Sequence, residues 1–120
     1  MLRYNEILRE VPNGFLVNLI SLRVLIFHRT AIRSLPTSLW KLRGLEFLSL
    51  GFTEIEDISE EIGNLSRLQF LYLNGCKNVK SLPCRMGELK NQKYLNLWGC
   101  NLNVIPDEIR KLPHCEIVFK

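Results

Sequence analysis

A long, fixed recurrence of leucines restricts the folds open to this chain more than any other feature. Leu65, Leu68, Leu71, Leu73, Cys76, Val79 and Leu82 make one copy of the pattern. The same spacing occurs earlier as Leu42, Leu45, Leu48, Leu50, Thr53, Ile55 and Ile58, and before that as Leu19, Leu22, Leu25, Phe27, Thr30, Ile32 and Leu35. It occurs later as Leu89, Gln92, Leu95, Leu97, Cys100, Leu102 and Ile105. The step is 23 residues from Leu25 to Leu48, 23 to Leu71 and 24 to Leu95. Such a unit cannot bury its apolar face alone, so successive copies must stack and share one continuous core.

The period and the L-x-x-L-x-L-x-x-N/C-x-L core predict an α/β leucine-rich repeat solenoid: a right-handed coil with a short parallel sheet on its concave face and short helical turns on its convex face. One domain is expected over residues 1–120, with a partial repeat at 1–18, whole repeats at 19–41, 42–64, 65–88 and 89–111, and a partial repeat at 112–120. Leu2, Asn5, Leu8, Val11 and Pro12 reproduce the spacing of Leu73, Cys76, Val79, Leu82 and Pro83, so the chain enters in mid-repeat without a polar cap. That suggests a piece of a longer receptor, or a first repeat that docks on something else.

Within a repeat, a run such as Val24-Leu25-Ile26-Phe27-His28 alternates as a strand, with Leu25 and Phe27 inward and the others outward. Pro36, Pro83 and Pro106 mark helical starts, where a fixed φ helps and a missing N–H costs nothing. Leu39 with Leu42, Ile62 with Leu65, Met86 with Leu89 and Ile109 with Leu112 are the apolar residues of those turns. The second repeat lacks this proline; Ser59 is its expected cap, and Glu54, Glu56, Asp57, Glu60 and Glu61 surround the helix start. Residues 116–120 should form a last edge strand whose charged ends discourage edge-to-edge association.

Composition narrows the function classes. A net charge of +4 with scattered Lys and Arg does not force a nucleic-acid partner. The apolar stretch at residues 14–27 is broken by Asn18, Ser21 and Arg23, too polar to span a bilayer, and no secretory signal pattern opens the chain. Cys76, Cys84, Cys100 and Cys115 form no C-x-x-C clip, which favours a reducing compartment, although Asn64-Leu65-Ser66 is a glycosylation triplet. Cys76 and Cys100 share a turn column with Asn5, Thr30 and Thr53, where a small polar side chain bonds the backbone. Cys84, on the outer side, is the expected reactive thiol. His28 and His114 have no catalytic partner arrangement, and no phosphate-loop, zinc or calcium pattern is present, so neither catalysis nor a cofactor or metal is expected.

The informative surface is the outward rows of the strands. The first row is Val24, Phe47, Phe70 and Tyr94; the second is Ile26, Ser49, Tyr72 and Asn96. The third is His28, Gly51, Asn74 and Trp98, with Arg29 and Phe52 just beyond. Alternation places these side chains on the concave face. Val24, Ile26, His28, Arg29, Phe47, Phe52, Phe70, Tyr72, Tyr94 and Trp98 are therefore the candidate protein-binding residues, since aromatics are common interface anchors. The competing reading is aromatic stacking that only tightens the sheet.

The phrase L-x-L-x-x-[TC]-x-I-x-x-L-P-x-x-[IL], as in residues 27–39, and the closings Gly75-Cys76 and Gly99-Cys100 resemble the repeat domain of plant intracellular nucleotide-binding leucine-rich repeat immune receptors. The L-x-G-x-I-P variant of plant cell-surface receptor kinases is missing, which favours the cytoplasmic class. The resemblance implies recognition of a pathogen effector or host protein, or autoinhibitory packing on the receptor's own nucleotide-binding domain. That domain is not within these residues, so nucleotide switching does not carry over. A scaffold, or a ubiquitin-ligase substrate receptor working through the helical side, is the alternative. Single-stranded nucleic acid has some basis in Arg23, Arg29 and Lys93, opposed by Glu46 and the acidic second repeat. Neither nucleic acid nor membrane is the expected partner; ligand identity and oligomeric state stay open.

Overall fold

The computed structural model describes residues 13–120; the half-repeat of Leu2, Asn5, Leu8, Val11 and Pro12 lies outside them. Five strands form one parallel sheet in chain order: β1 (Val24–Ile26), β2 (Phe47–Ser49), β3 (Phe70–Tyr72), β4 (Tyr94–Leu97) and β5 (Glu116–Phe119). The opposite side carries 3-10 helical turns at Thr37–Lys41, Glu60–Asn64 and Cys84–Glu88 and the helix Asp107–Arg110, with a short helix Asn13–Leu16 before β1. Between the two layers lies a continuous core that includes Leu25, Leu48, Leu71 and Leu95 from the strands and Leu39, Ile62, Met86 and Ile109 from the helical side. This is the solenoid that the spacing predicts.

The register follows the repeat. Val24 pairs with Phe47, Phe47 with Phe70, Phe70 with Tyr94 and Tyr94 with Glu116. Inward leucines therefore stack on inward leucines, and each strand's unused face turns outward as one row. Pro36, Pro83 and Pro106 precede their helical turns in extended conformation, with ψ of 149°, 140° and 143°. Ser59 replaces them in the second repeat, and its Oγ accepts a hydrogen bond from the Glu61 amide at 3.0 Å. That bond satisfies one of the free donors at a helix start. Neighbouring turns are tied together as well: Glu60 accepts from the Arg85 amide at 3.2 Å, and the Arg85 guanidinium donates to Asn64 Oδ1 at 3.1 Å.

The leucine pattern is looser in the first described repeat, where Leu22 and Leu35 are only partly buried. Leu19 is 38% exposed although its counterparts Leu42, Leu65 and Leu89 are buried; it lies in the terminal repeat of the described stack, where stacking supplies less cover. Gln92, in a leucine position, is buried and donates from Nε2 to the Tyr94 carbonyl at 2.8 Å, while its Oε1 has no partner among the described residues. Trp40, absent from the expected core, is buried in its helical turn.

The turn column behaves as expected, with a division of labour between its residue types. Thr30 and Thr53 donate to the carbonyls of Phe27 and Leu50 in their own repeats, at 2.9 and 2.8 Å. The thiols of Cys76 and Cys100 reach one repeat back, to the carbonyls of Leu50 and Leu73, both at 3.0 Å. Burial, and secondarily the neighbouring Cys76, pushes the Cys100 thiol from 9.0 up to about 11. An acid whose folded pKa is raised holds its proton more tightly when folded. Its contribution is complete below about pH 9 and is lost as pH rises toward about 11. In urea titrations under reductant, Cys100→Ser should flatten the fall in unfolding midpoint across that interval. Equal slopes for variant and parent would contradict the buried, bonded thiol.

Candidate functional site

The exposed sheet face is built by alternation: every inward leucine leaves its neighbours pointing out. Because adjacent strands lie about 4.8 Å apart, outward rings in register come within stacking distance. Phe47 meets Phe70 at 6.0 Å between ring centroids and Tyr72 at 5.2 Å, and Tyr72 meets Tyr94 at 5.3 Å. These four rings form a ladder and half-bury one another. Burial, then the neighbouring Tyr94, raises the Tyr72 phenol above its usual range. The rings lean on one another at interplanar angles of 30° to 50° and each keeps part of its surface open.

A second cluster forms where the strands turn out of the sheet. Arg29 lies with its Cζ 4.7 Å from the centre of the Phe52 ring, and His28 meets the same ring edge-on at 5.3 Å. Arg29, Phe52, Gly75 and Gly99 occupy equivalent turn positions, and all four have positive φ: 61°, 56°, 74° and 81°. Glycine adopts this conformation freely, whereas arginine and phenylalanine are strained in it. The Phe52 ring lies across Gly75, where a Cβ would run into it. Gly51 is similarly closed over: a Cβ there would meet His28 Nδ1 at 2.9 Å and Asn74 Oδ1 at 3.0 Å. That Asn74 oxygen is buried and has no partner among the described residues.

The ten candidate residues therefore fall into groups. Phe47, Phe70, Tyr72 and Tyr94 make the ladder; His28, Arg29 and Phe52 make the rim cluster. Val24 and Ile26 stand on β1 at one end of the ladder, with Val24 40% exposed. Trp98 stands apart at the β4 end, 55% exposed and without a ring partner among the described residues. The most exposed apolar side chains of this face are thus Val24, Phe52 and Trp98, with the half-buried rings of the ladder between them.

Elsewhere the chemistry is sparse. Cys84 is exposed, but Glu108 foremost, with Glu60 further raising it, holds its thiol protonated above the usual range. It is still the exposed one of the four thiols; Cys76 and Cys100 are buried and Cys115 is partly covered. Among the described residues no cluster of three or more His, Cys, Asp or Glu side chains could hold a metal ion, and no helix is long and apolar enough to cross a membrane. One feature escaped the reading of the sequence. Arg23, Arg43 and Arg67 line a single hollow at the edge where the strands begin. They sit at non-equivalent repeat positions, so no column displayed them.

Comparisons with known proteins agree with this architecture. The family model described as a leucine-rich repeat region matches residues 2–92, and a leucine-rich repeat model matches residues 93–112. Among curated proteins, Disease resistance protein RPS4B of Arabidopsis thaliana is 37% identical over 57 residues, 48% of this chain. Disease resistance protein RPP5 of Arabidopsis thaliana is 33% identical over 68 residues, 56% of this chain. The chain spans 5% of the length of each. Among solved structures, the Leptospira interrogans LRR protein LIC12759 superposes with a TM-score of 0.80 at 34% identity, over 91% of this chain and 28% of that one. The LRR ectodomain of the receptor kinase SOBIR1 from Arabidopsis thaliana gives 0.80 at 19% identity, over 99% and 66%; that likeness is one of fold. The matched repeats run over the same residues as the register of the sheet, and the chain belongs to the leucine-rich repeat family.

Proposed function

We propose that this chain is a protein-recognition module, the ligand-sensing or autoinhibitory repeat domain of a plant intracellular immune receptor, acting in the cytoplasm as a single domain of stacked repeats. The observation that carries the reading is the concave face. It presents an in-register aromatic ladder flanked by the open anchors Val24, Phe52 and Trp98. The similarity to plant disease resistance proteins supports the biological setting. A pathogen effector, a host protein or the receptor's own nucleotide-binding domain would lie across the strands, its side chains entering between the ladder and the rim cluster of His28, Arg29 and Phe52.

A Gly-Lys phosphate loop encoded upstream would identify the domain to use as the first probe. In calorimetric titrations against that domain, Phe47→Ser combined with Phe70→Ser should weaken binding at least ~30-fold, the scale of one interface hot spot. Circular dichroism should show the stack still folded. Unchanged affinity would reject the concave face. Loss of binding on charge reversal at Glu56, Asp57, Glu60 and Glu61 instead would favour a scaffold or adaptor working through the helical side.

A further inference from the structure

We infer that the edge of the sheet where the strands begin accepts an acidic protein segment, through the hollow lined by Arg23, Arg43 and Arg67. This deepens the concave-face reading and rests on it, since Arg23, Arg43 and Arg67 lie in the segments that lead into β1, β2 and β3. Ile20, Ser21 and Ser66 also line the hollow, and no carboxylate among the described residues does. Arg43 and Arg67 make no ion pair among the described residues. Among the described residues Arg23 pairs only with Glu46, at 4.0 Å, with its own side chain 74% exposed. A contact that long and that wet contributes little. The three guanidinium groups share one long, wet contact to a carboxylate among the described residues, and a partner carboxylate could accept paired N–H bonds from them.

The backbone on this edge is already committed. The Arg23 carbonyl accepts from the amides of Glu46 and Phe47, that of Glu46 from Gln69 and Phe70, and that of Gln69 from Lys93 and Tyr94. Recognition here therefore falls to side chains rather than to an added strand. Lys93, exposed three strands along the same edge, extends the positive charge toward the far end of the ladder. Ile20, 67% exposed at the hollow, asks for an apolar residue beside the acids. A protein segment supplies both. Single-stranded nucleic acid fits less well, because it needs open ring faces for its bases and the ladder's rings are half-buried against one another at 5.2 and 5.3 Å.

The test uses the whole chain and fluorescence anisotropy with three labelled peptides that share the same leucines. They carry glutamate, glutamine or lysine at the remaining positions. The glutamate peptide should bind about tenfold more tightly than the glutamine peptide at ~50 mM salt and lose that advantage at ~500 mM. Arg43→Glu with Arg67→Glu should abolish the preference at an unchanged thermal midpoint, while Lys41→Glu with Lys111→Glu on the helical side leaves it intact. Equal binding of the glutamate and glutamine peptides, no peptide binding, or a preference that survives the arginine reversals would overturn the proposal. So would equally tight, arginine-dependent binding of a labelled oligothymidylate. The Phe47→Ser, Phe70→Ser variant separates the two ideas. If it weakens all peptides alike and the glutamate preference is absent, only the acidic partner fails. If it changes nothing and the arginine-dependent preference remains, only the concave-face reading fails.

Discussion

Leu71→Ala is expected to lower the unfolding free energy by about 3 kcal/mol, within the range for a buried leucine cut back to a methyl group. Leu71 is fully buried at the centre of β3 and lies in register with Leu48 on one side and Leu95 on the other. The cost depends on whether neighbours can collapse into the space left behind. Here they are held back: the amide of Leu50 is bonded to the Tyr72 carbonyl at 2.8 Å and that of Leu73 to the Asn96 carbonyl at 2.9 Å, which fixes both flanking strands. In a stack stabilised by nearest-neighbour contacts, a central cavity also weakens two interfaces instead of one. Urea denaturation followed by circular dichroism measures the effect, and a loss below ~1 kcal/mol would contradict so tightly packed a centre.

Gly75→Ala should cost about 2–3 kcal/mol, from two separable causes. The backbone at Gly75 has φ of 74°, where a Cβ is disfavoured by roughly 1–2 kcal/mol. Arg29 and Phe52 already tolerate that region at equivalent positions, so the conformation alone is not prohibitive. The second cause is the Phe52 ring lying across the glycine, which a methyl group would have to displace. Gly99→Ala is the control: its φ is 81°, but the nearest atoms to a Cβ are the backbone N and Cα of Gly75, at 3.3 and 3.4 Å. The expected order of destabilisation is therefore Gly75→Ala above Gly99→Ala. Placing Gly75→Ala in a Phe52→Ala background should remove the excess. Thermal unfolding of the four variants decides the matter, and an equal cost for Gly75→Ala with and without the Phe52 ring would show that the ring contact is not there.

What could be read from the chain was whatever recurs. Inward Leu25, Leu48, Leu71 and Leu95, and outward Val24, Phe47, Phe70 and Tyr94, follow from one spacing, and the strand register repeats it residue for residue. The bonding role of Thr30, Thr53, Cys76 and Cys100 was equally legible, because a turn places the same demand on every repeat. What was hidden arises between repeats and between unlike positions. The stacking of Phe47 on Tyr72 joins different rows, Phe52 reaches over to Gly75, and the hollow gathers arginines from non-equivalent places. The upward push on the Cys84 thiol comes foremost from Glu108, a full repeat away in the chain. A single repeat carries no information about such pairs; the geometry of stacking does.

The parallel, in-register sheet also acts as a grating. Its outward rows are ruled at about 4.8 Å, one line per strand. A β-strand laid across them returns to the same face about every 6.7 Å and falls out of phase with the lines almost at once. A polyproline II chain returns every third residue, about 9.3 Å, close to two rulings of the sheet at about 9.6 Å. Such a chain would stay in step with alternate lines, meeting Phe47 and then Tyr94 of the first outward row. By spacing alone, this surface keeps time with one kind of backbone and drifts against another.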